Sequence, residues 1–219
     1  MSKVSASGVL EYYDDSPWRV RLHVYGRWRL CPFRSLIAHL PNEGRLVDIG
    51  SGYGLWPFYV HTLKPGMEIW GLEPDPWKVQ VASAIAQKMS IETIAFTQAN
   101  AQGMDLPACQ AATIIDVLYL IPWEEQIEVL TRLVRGLEPG GTLLIKEMGE
   151  QPAWKYAWNW FEEWLAVRII KITQGNRFYF RKMEDWLSLL SSLGLDAKAI
   201  RVDRGYMYPH VLFVGRKRA

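Results

Sequence analysis

The sequence predicts an α/β fold in which helices cover both faces of a mostly parallel sheet, as a three-layer sandwich. Two observations lead to this prediction. From Arg45 onward, short apolar runs alternate with amphipathic segments, which is typical of a parallel sheet covered by helices. Three glycines also follow the first apolar run, within residues 50–54, as at the first turn of doubly wound folds. The 219 residues, 49% of them hydrophobic, are enough to bury one substantial core.

The elements follow in chain order. Seven apolar runs predict strands at Leu46–Ile49, Glu68–Leu72, Thr93–Thr97, Ala112–Leu118, Thr142–Glu147, Asp196–Val202 and His210–Gly215. Apolar residues at helical spacing predict helices at Leu55–Leu63, Pro76–Met89, Glu124–Leu137 and Met183–Leu193. We expect the helix Glu124–Leu137 to bury Ile127, and the helix Met183–Leu193 to bury Met183.

We expect one domain with four parts. Residues 1–44 form an N-terminal helical cap, 45–150 the cofactor-binding core, 151–183 an aromatic helical insertion after strand five, and 184–219 a final helix and strand pair. The insertion contains a long helix over Pro152–Ile172, rich in tryptophan and in basic residues. It can serve as a lid over a pocket, as a contact with a membrane surface, or as plain packing.

Composition narrows the class of protein. A formal net charge of +2 lacks the clustered basic excess of a dedicated nucleic-acid binder, which argues against such a partner. Cys31 and Cys109 have no metal-ligand spacing, so no metal site is predicted. No secretory signal is visible, and charges interrupt the most apolar stretch, Ala153–Ile172. A cytoplasmic location is the expectation.

The stretch LVDIGSGYG at residues 46–54 is the most informative motif. Its glycines let the backbone approach a ligand without obstruction by Cβ atoms. Leu55 stands where a dinucleotide-binding motif has its third glycine. Asp48 precedes the first glycine by two residues, and a carboxylate there would repel a pyrophosphate but attract an ammonium or a sulfonium.

Polar residues also follow the next two predicted strands. Glu73 ends strand two, where an acid can accept hydrogen bonds from both hydroxyls of an adenosine ribose. Asn100 and Ala101 follow strand three, where an amide side chain and a backbone N–H can contact the adenine edge. These positions predict an adenosine-containing ligand at the carboxyl ends of the strands.

The motifs together resemble those of class I S-adenosylmethionine-dependent methyltransferases. The series VDIGSGYG, GLEPD, QANAQGMDLP, ATIIDVLYLIP and LEPGGTLLIKE appears in the family's order and covers about half the chain. The resemblance implies a Rossmann-like seven-stranded sheet with an antiparallel last strand, S-adenosylmethionine as the cofactor, and a methyl acceptor as the substrate. We predict a cofactor site formed by Asp48, Gly50, Ser51, Gly52, Glu73, Pro74, Asn100, Ala101 and Asp116.

Two positions depart from the family's pattern. Asn100 stands where the family commonly has Asp, and the segment after strand four reads Asp116-Val117-Leu118-Tyr119. That segment lacks the motif of enzymes that methylate exocyclic amines of DNA or the amide of glutamine. The acceptor is therefore expected to be a small or lipid-like molecule, with possible contact to a membrane surface.

Two residues are candidates for catalysis. His210 begins an antiparallel last strand, whose start faces the same edge as the ends of the parallel strands. A histidine there can act as general base for a phenol, alcohol or ammonium acceptor, although packing alone would also explain it. Tyr119 can orient the acceptor or contact the cofactor, or it can be a core aromatic. The other three histidines, His23 among them, have no partner at catalytic spacing, and we interpret them as structural.

Two other classes of function stay open on the sequence alone. A nicotinamide-dependent oxidoreductase can use the same sheet, although Asp48 and Leu55 disfavour it. A non-catalytic protein that keeps the cofactor fold and acts at a membrane surface or partner is the other.

Overall fold

The structure is a computed structural model, and it describes residues 8–100, 106–149, 179 and 181–218. The predicted helix over Pro152–Ile172, nearly all of the aromatic insertion and the predicted cofactor residue Ala101 lie outside these ranges.

The described residues contain seven strands, which form one sheet. They are β1 (Glu43–Ile49), β2 (Gly66–Glu73), β3 (Ile94–Gln98), β4 (Cys109–Ile115), β5 (Leu137–Met148), β6 (Leu195–Arg201) and β7 (His210–Lys217). Their order across the sheet is β3-β2-β1-β4-β5-β7-β6. Among the described strands, β7 alone runs opposite to the other six, and it pairs antiparallel with both β5 and β6. The predicted fold class is therefore confirmed, including the antiparallel last strand.

Six α-helices are described. They are α1 (Trp18–Leu30), α2 (Phe33–Ile37), α3 (Leu55–Leu63), α4 (Pro76–Lys88), α5 (Trp123–Gly136) and α6 (Met183–Ser192). Short 3-10 turns occupy Gly8–Tyr13 and Leu118–Leu120. Asp75 caps the N-terminus of α4, where its carboxylate accepts hydrogen bonds from the backbone N–H groups of Trp77 and Lys78. Among the described residues, no helix has both the length and the apolar character needed to cross a membrane.

Alternation along the strands sends side chains to two separate cores. On one face, Leu46 and Ile69 pack with residues of α1, α2, α3 and α4. On the other face, Val47 and Ile145 pack with residues of α5 and α6. The two cores make the sheet the middle layer of the sandwich. Its carboxyl-end edge is left for the turns that follow β1, β2 and β4.

The N-terminal cap packs onto this arrangement through its own apolar side chains. Val20 and Val24 of α1 are 2% and 1% exposed and join the first core. Tyr13 is fully buried, and its hydroxyl donates a hydrogen bond to the backbone carbonyl of Tyr53 at 2.9 Å. Since Tyr53 belongs to the glycine turn after β1, the cap is fastened to that turn.

Three details of the sequence-based elements were wrong. Strand β4 ends at Ile115 rather than Leu118, because Asp116 adopts a φ of 57° that a strand cannot continue through. In α5, Ile127 is 41% exposed, and Gln126, Val129, Leu130, Leu133 and Val134 form the buried face instead. Met183 is 38% exposed, since it stands at the first position of α6, whose buried residues are Trp186 and Leu190.

Candidate functional site

The turn after β1 brings backbone rather than side chains to the edge of the sheet. Gly50, Gly52 and Gly54 all have positive φ, at 73°, 57° and 83°. At Gly50 a Cβ would lie 2.3 Å from Cγ2 of Val117, so only glycine fits there. A Cβ at Gly52 would meet nothing within 4 Å. The turn is held by a hydrogen bond of 2.7 Å from the Gly50 N–H to the carbonyl of Leu72.

Glu73 connects the end of β2 to this turn. Its side chain is buried, and its Oε2 accepts a hydrogen bond of 2.9 Å from the Gly52 N–H. The other oxygen, Oε1, accepts from the Asp75 N–H at 3.2 Å and lies 3.6 Å from Nζ of Lys78. A carboxylate has about four acceptor positions, so Glu73 can still accept from a ligand.

The carboxylate of Asp48 accepts a hydrogen bond from a neutral side chain, Thr113. Its carboxylate is 2% exposed, and Oδ1 accepts a hydrogen bond of 2.6 Å from the Thr113 hydroxyl. Thr113 in turn accepts a hydrogen bond of 3.2 Å from the indole N–H of Trp56. Burial raises the pKa of Asp48 to about 7. A cation brought next to this carboxyl would favour its ionised form.

One cavity of about 860 Å³ joins these groups. The glycine turn and the ends of β1 and β2 form one part of its wall, and residues after β4 form another. Helix α1 forms the roof through His23, Val24 and Arg27. The size lies within the range of pockets that enclose a small-molecule ligand.

A chain of charges lies at the β4 end of the cavity. Asp116 binds Nη1 of Arg27 through Oδ2 at 2.6 Å, and its Oδ1 binds Nζ of Lys146, which is fully buried. Although burial acts to raise the pKa of Asp116, the charges of Lys146 and Arg27 hold it well below its usual range. Behind them, Glu147 accepts a hydrogen bond from the Leu118 N–H at 3.1 Å. Burial and the charge of Asp116 raise the pKa of Glu147 to about 8.

The two predicted catalytic residues differ in position. Tyr119 lines the cavity, whereas His210 is buried at the start of β7 and is not among the lining residues. His210 Nε2 lies 2.7 Å from the carbonyl of Leu30, so it carries the proton and donates. Nδ1 has no hydrogen-bond partner among the described residues. Burial first, and the charge of Lys146 next, lower the pKa of His210 to about 3.

Most of the predicted cofactor residues come together at this cavity. Its lining includes Asp48, Gly50, Ser51, Gly52, Glu73, Pro74 and Asp116. Asn100 is exposed and is not among the lining residues. Asn100 and Ala101 as adenine contacts therefore stay a prediction, as does His210 as a base.

Sequence reasoning missed three residues of the site. His23 and Arg27 both line the cavity from α1, and His23 packs its ring edge-on against Tyr53 at 5.3 Å. Protein atoms around the His23 ring, together with the charges of Arg27 and Lys78, lower its pKa to about 4. The signal was the spacing of four residues, which places both side chains on one face of a helix. Thr113 gave no signal, because its role depends on β4 lying beside β1.

The cavity has the features that an adenosylated amino acid requires. Ser51 Oγ is buried, lies in the cavity wall and has no hydrogen-bond partner among the described residues. The open space at Gly52 lets a ligand reach the backbone, and Glu73 offers acceptors to a pair of hydroxyls. Asp48 offers a carboxyl to a cationic group. These residues fit S-adenosylmethionine.

Comparison with known families gives one match, to a model described as a methyltransferase domain, over residues 23–197. A search among curated proteins finds no match.

Solved structures with the same fold are numerous. The S-adenosylmethionine-dependent methyltransferase SibL, in its apo form, has a TM-score of 0.72 at 16% identity over 92% of this chain and 58% of its own. A putative methyltransferase in complex with the Trm112 activator of Haloferax volcanii also has a TM-score of 0.72, at 16% identity over 96% and 98%. Human N-acetylserotonin methyltransferase, in complex with SAM, has a TM-score of 0.68 at 19% identity over 98% and 57%. The chain thus spans little more than half the length of two of these proteins.

Proposed function

The chain belongs to the family of methyltransferase domains, and we propose that it methylates a small-molecule or lipid-like acceptor. The family match confirms the predicted family, the enzyme class and S-adenosylmethionine as the cofactor. It also disfavours a nicotinamide-dependent oxidoreductase. This agrees with Asp48, whose carboxylate would repel a pyrophosphate, and with Leu55, which stands in place of the third glycine of a dinucleotide-binding motif.

The cofactor, when bound, supplies an electrophilic methyl group on a sulfonium. In this proposal, Glu73 accepts hydrogen bonds from the ribose hydroxyls while it holds the Gly52 N–H in place. Ser51 and the open backbone at Gly52 contact the amino-acid part of the cofactor. Asp48 balances positive charge, since its own partner, Thr113, is neutral.

One observation supports the acceptor class. The cavity lined by the predicted cofactor residues continues past Asp116, the last of them, to Tyr119 and Leu120. A roofed cavity of about 860 Å³ has room for a small acceptor beside the cofactor. Arg27 supplies a polar group at that end, and Tyr119 and Leu120 supply apolar surface.

We place Tyr119 next to the acceptor as an orienting residue, because it is the predicted catalytic side chain that lines the cavity. Methyl transfer is an in-line displacement, so alignment of the acceptor contributes directly to the rate. His210 is retained as the candidate base for acceptors that must lose a proton. Its pKa of about 3 makes it a weak base in the ligand-free protein.

The test uses S-adenosylmethionine that carries a radiolabelled methyl group. The protein is incubated with this donor and a cell extract, and the products are separated into lipid, small-molecule, protein and RNA fractions. We expect label in the lipid or small-molecule fraction. Label that appears in protein or RNA alone would contradict the proposed acceptor class, although not the enzyme class.

A Glu73→Ala variant serves as the matched control for that assay. Loss of hydrogen bonds to a charged group should weaken binding of S-adenosylhomocysteine about tenfold to a hundredfold by calorimetry. The variant should also label no fraction above background. Unchanged affinity for the nucleoside product would show that the cofactor binds elsewhere.

A further inference from the structure

The outer surface of α1 carries a stripe of large apolar side chains. Trp18, Leu22 and Tyr25 stand at positions i, i+4 and i+7, so they follow one another along one face of the helix. They are 67%, 66% and 38% exposed. The buried residues of the helix, Val20 and Val24, lie on the opposite side. Among the described residues, the stripe therefore lies on the side of α1 that faces away from the core.

Positive charge flanks this stripe. Helix α1 contains four arginines and no acidic residue. Arg27 points inward to Asp116, whereas Arg19, Arg21 and Arg29 are exposed. Asp14 and Asp15 precede the helix, but Asp15 is already paired with Lys88 at 2.5 Å. The exposed side of the helix is thus both apolar and cationic.

We infer that this outer face of α1, formed by Trp18, Arg19, Arg21, Leu22, Tyr25 and Arg29, binds the surface of an anionic lipid bilayer. Single exposed apolar residues are common, but here three lie along one helix face beside arginines, and interfacial helices bind bilayers through these two kinds of side chain. Tryptophan and tyrosine favour the headgroup region, and arginine binds lipid phosphate. A polyanion without apolar or aromatic groups, such as heparin, would use the arginines and leave the apolar stripe in water.

The helix has the dimensions of a surface contact. Its 13 residues are too few to span a bilayer, so it lies in the plane of the interface. Its inner side lines the cavity through His23, Val24 and Arg27. Binding at the outer face would therefore place the roof of the cavity at the lipid boundary. The inference does not depend on the methyl acceptor and is tested separately from it.

The test is co-sedimentation with large vesicles of two compositions. One contains phosphatidylcholine alone, and the other contains equal parts of phosphatidylcholine and phosphatidylglycerol. We expect the protein to sediment with the mixed vesicles and to bind phosphatidylcholine weakly. Higher salt should reduce the difference between the two, because it screens the arginines.

Two double variants separate the apolar part from the charged part. Trp18→Ala with Leu22→Ala should weaken binding to the mixed vesicles by at least about tenfold, since two large side chains no longer enter the interface. Arg19→Gln with Arg21→Gln should weaken it by about fivefold per arginine and remove the preference for anionic lipid. Trp77→Ala is the matched control, because Trp77 is 50% exposed but lies on α4.

All four side chains changed in the double variants are exposed, so the variants should unfold at the temperature of the parent protein. Three results would overturn the inference. The parent protein could fail to bind the mixed vesicles at low salt. The Trp18 and Leu22 variant could bind them as well as the parent does. The parent could also bind heparin through α1 and yet bind no vesicles, which would indicate a polyanionic partner instead.

Discussion

Arg27 reaches from α1 to the carboxylate of Asp116 at the end of β4, with 2.6 Å between Nη1 and Oδ2. The same carboxylate binds Lys146, whose side chain is fully buried in β5. Asp116 thus compensates two cations, one of which has no access to water. The positive φ of Asp116 turns its carboxylate toward both of them instead of continuing the strand.

The ion pairs of Asp116 with Lys146 and Arg27 predict that substitutions at Asp116 and at Arg27 lower the free energy of unfolding by unequal amounts. Asp116→Ala should lower the free energy of unfolding by about 3–5 kcal/mol, because it removes the ion pair that compensates the buried charge of Lys146. Arg27→Gln should cost only about 1 kcal/mol, since the Arg27 side chain is 34% exposed and partly screened by solvent. Urea denaturation monitored by tryptophan fluorescence measures both.

Adding a second substitution at Lys146 to the Asp116→Ala variant separates loss of the ion pair from other effects of the alanine. Lys146→Met should recover much of the stability that Asp116→Ala loses, because it removes the unpaired charge while keeping the buried volume. A double variant no more stable than Asp116→Ala alone would show that Lys146 is not the source of the loss.

The buried carboxyl of Asp48 predicts a pH-dependent affinity for the cofactor. Because its pKa is raised to about 7, the group gains its negative charge as pH rises through neutrality. Affinity for S-adenosylmethionine should therefore rise by up to about tenfold per pH unit below that pKa and level off above it. Calorimetry across this range gives the profile, and Asp48→Asn should bind weakly with no such dependence.

In the ligand-free protein, ionisation of the buried Asp48 carboxyl should lower the free energy of unfolding. Its folded pKa lies above the unfolded value of 3.8, so ionisation favours the unfolded state increasingly as pH rises from about 4 to about 7. Asp48→Asn should then unfold with a free energy higher by on the order of 1 kcal/mol at neutral pH. A variant less stable than the parent protein would argue that the Thr113 hydrogen bond outweighs burial.

Two glycines with similar backbone angles should respond differently to alanine. Gly52 and Gly205 have φ of 57° and 85°, and a Cβ added at either position would meet no atom within 4 Å. Each alanine substitution should cost about 1–2 kcal/mol of stability for the left-handed backbone. Only Gly52→Ala should also weaken S-adenosylhomocysteine binding, by more than about tenfold, since its Cβ would enter the cavity. Equal affinities in the two variants would place the ligand away from the turn.

His210 predicts a loss of stability in acid. Its folded pKa of about 3 lies below the ordinary value of 6.5, so protons bind the unfolded chain preferentially between these two limits. Stability is therefore fully present above 6.5 and should fall by about 1 kcal/mol per pH unit below it. His210→Gln keeps a donor for Leu30 and should show a shallower decline by urea denaturation between these limits. If the two slopes coincide, another group controls acid unfolding.

Local patterns were sufficient for much of the fold and for the cofactor end of the site. Alternating apolar runs located all seven strands, and glycines at 50, 52 and 54 marked the turn because each requires a positive φ. Asp48 and Glu73 were identified because they end neighbouring strands, which places them at one edge. Strand four was extended too far because Val117 and Leu118 continue its apolar run. Their backbone leaves the strand at Asp116, whose carboxylate pairs with Arg27 and Lys146 from elsewhere in the chain.

The roof of the cavity could not be predicted for the same reason. His23 and Arg27 share a helix face, but nothing in α1 tells which face turns inward. The answer depends on Asp116 and Tyr53, which lie far along the chain and meet the helix only after the sheet has formed. Lys146 likewise resembles a strand-end lysine until β5 is placed beside β4.

The hydrogen bond from Tyr13 to the carbonyl of Tyr53 has a consequence for engineering. Because it couples the first described turn of the chain to the glycine segment, the N-terminal region is not an interchangeable module. A chimera that exchanged this region for that of a relative would alter the cofactor loop as well as the roof. Crossover points for such hybrids should therefore leave residues 8–54 together as one unit.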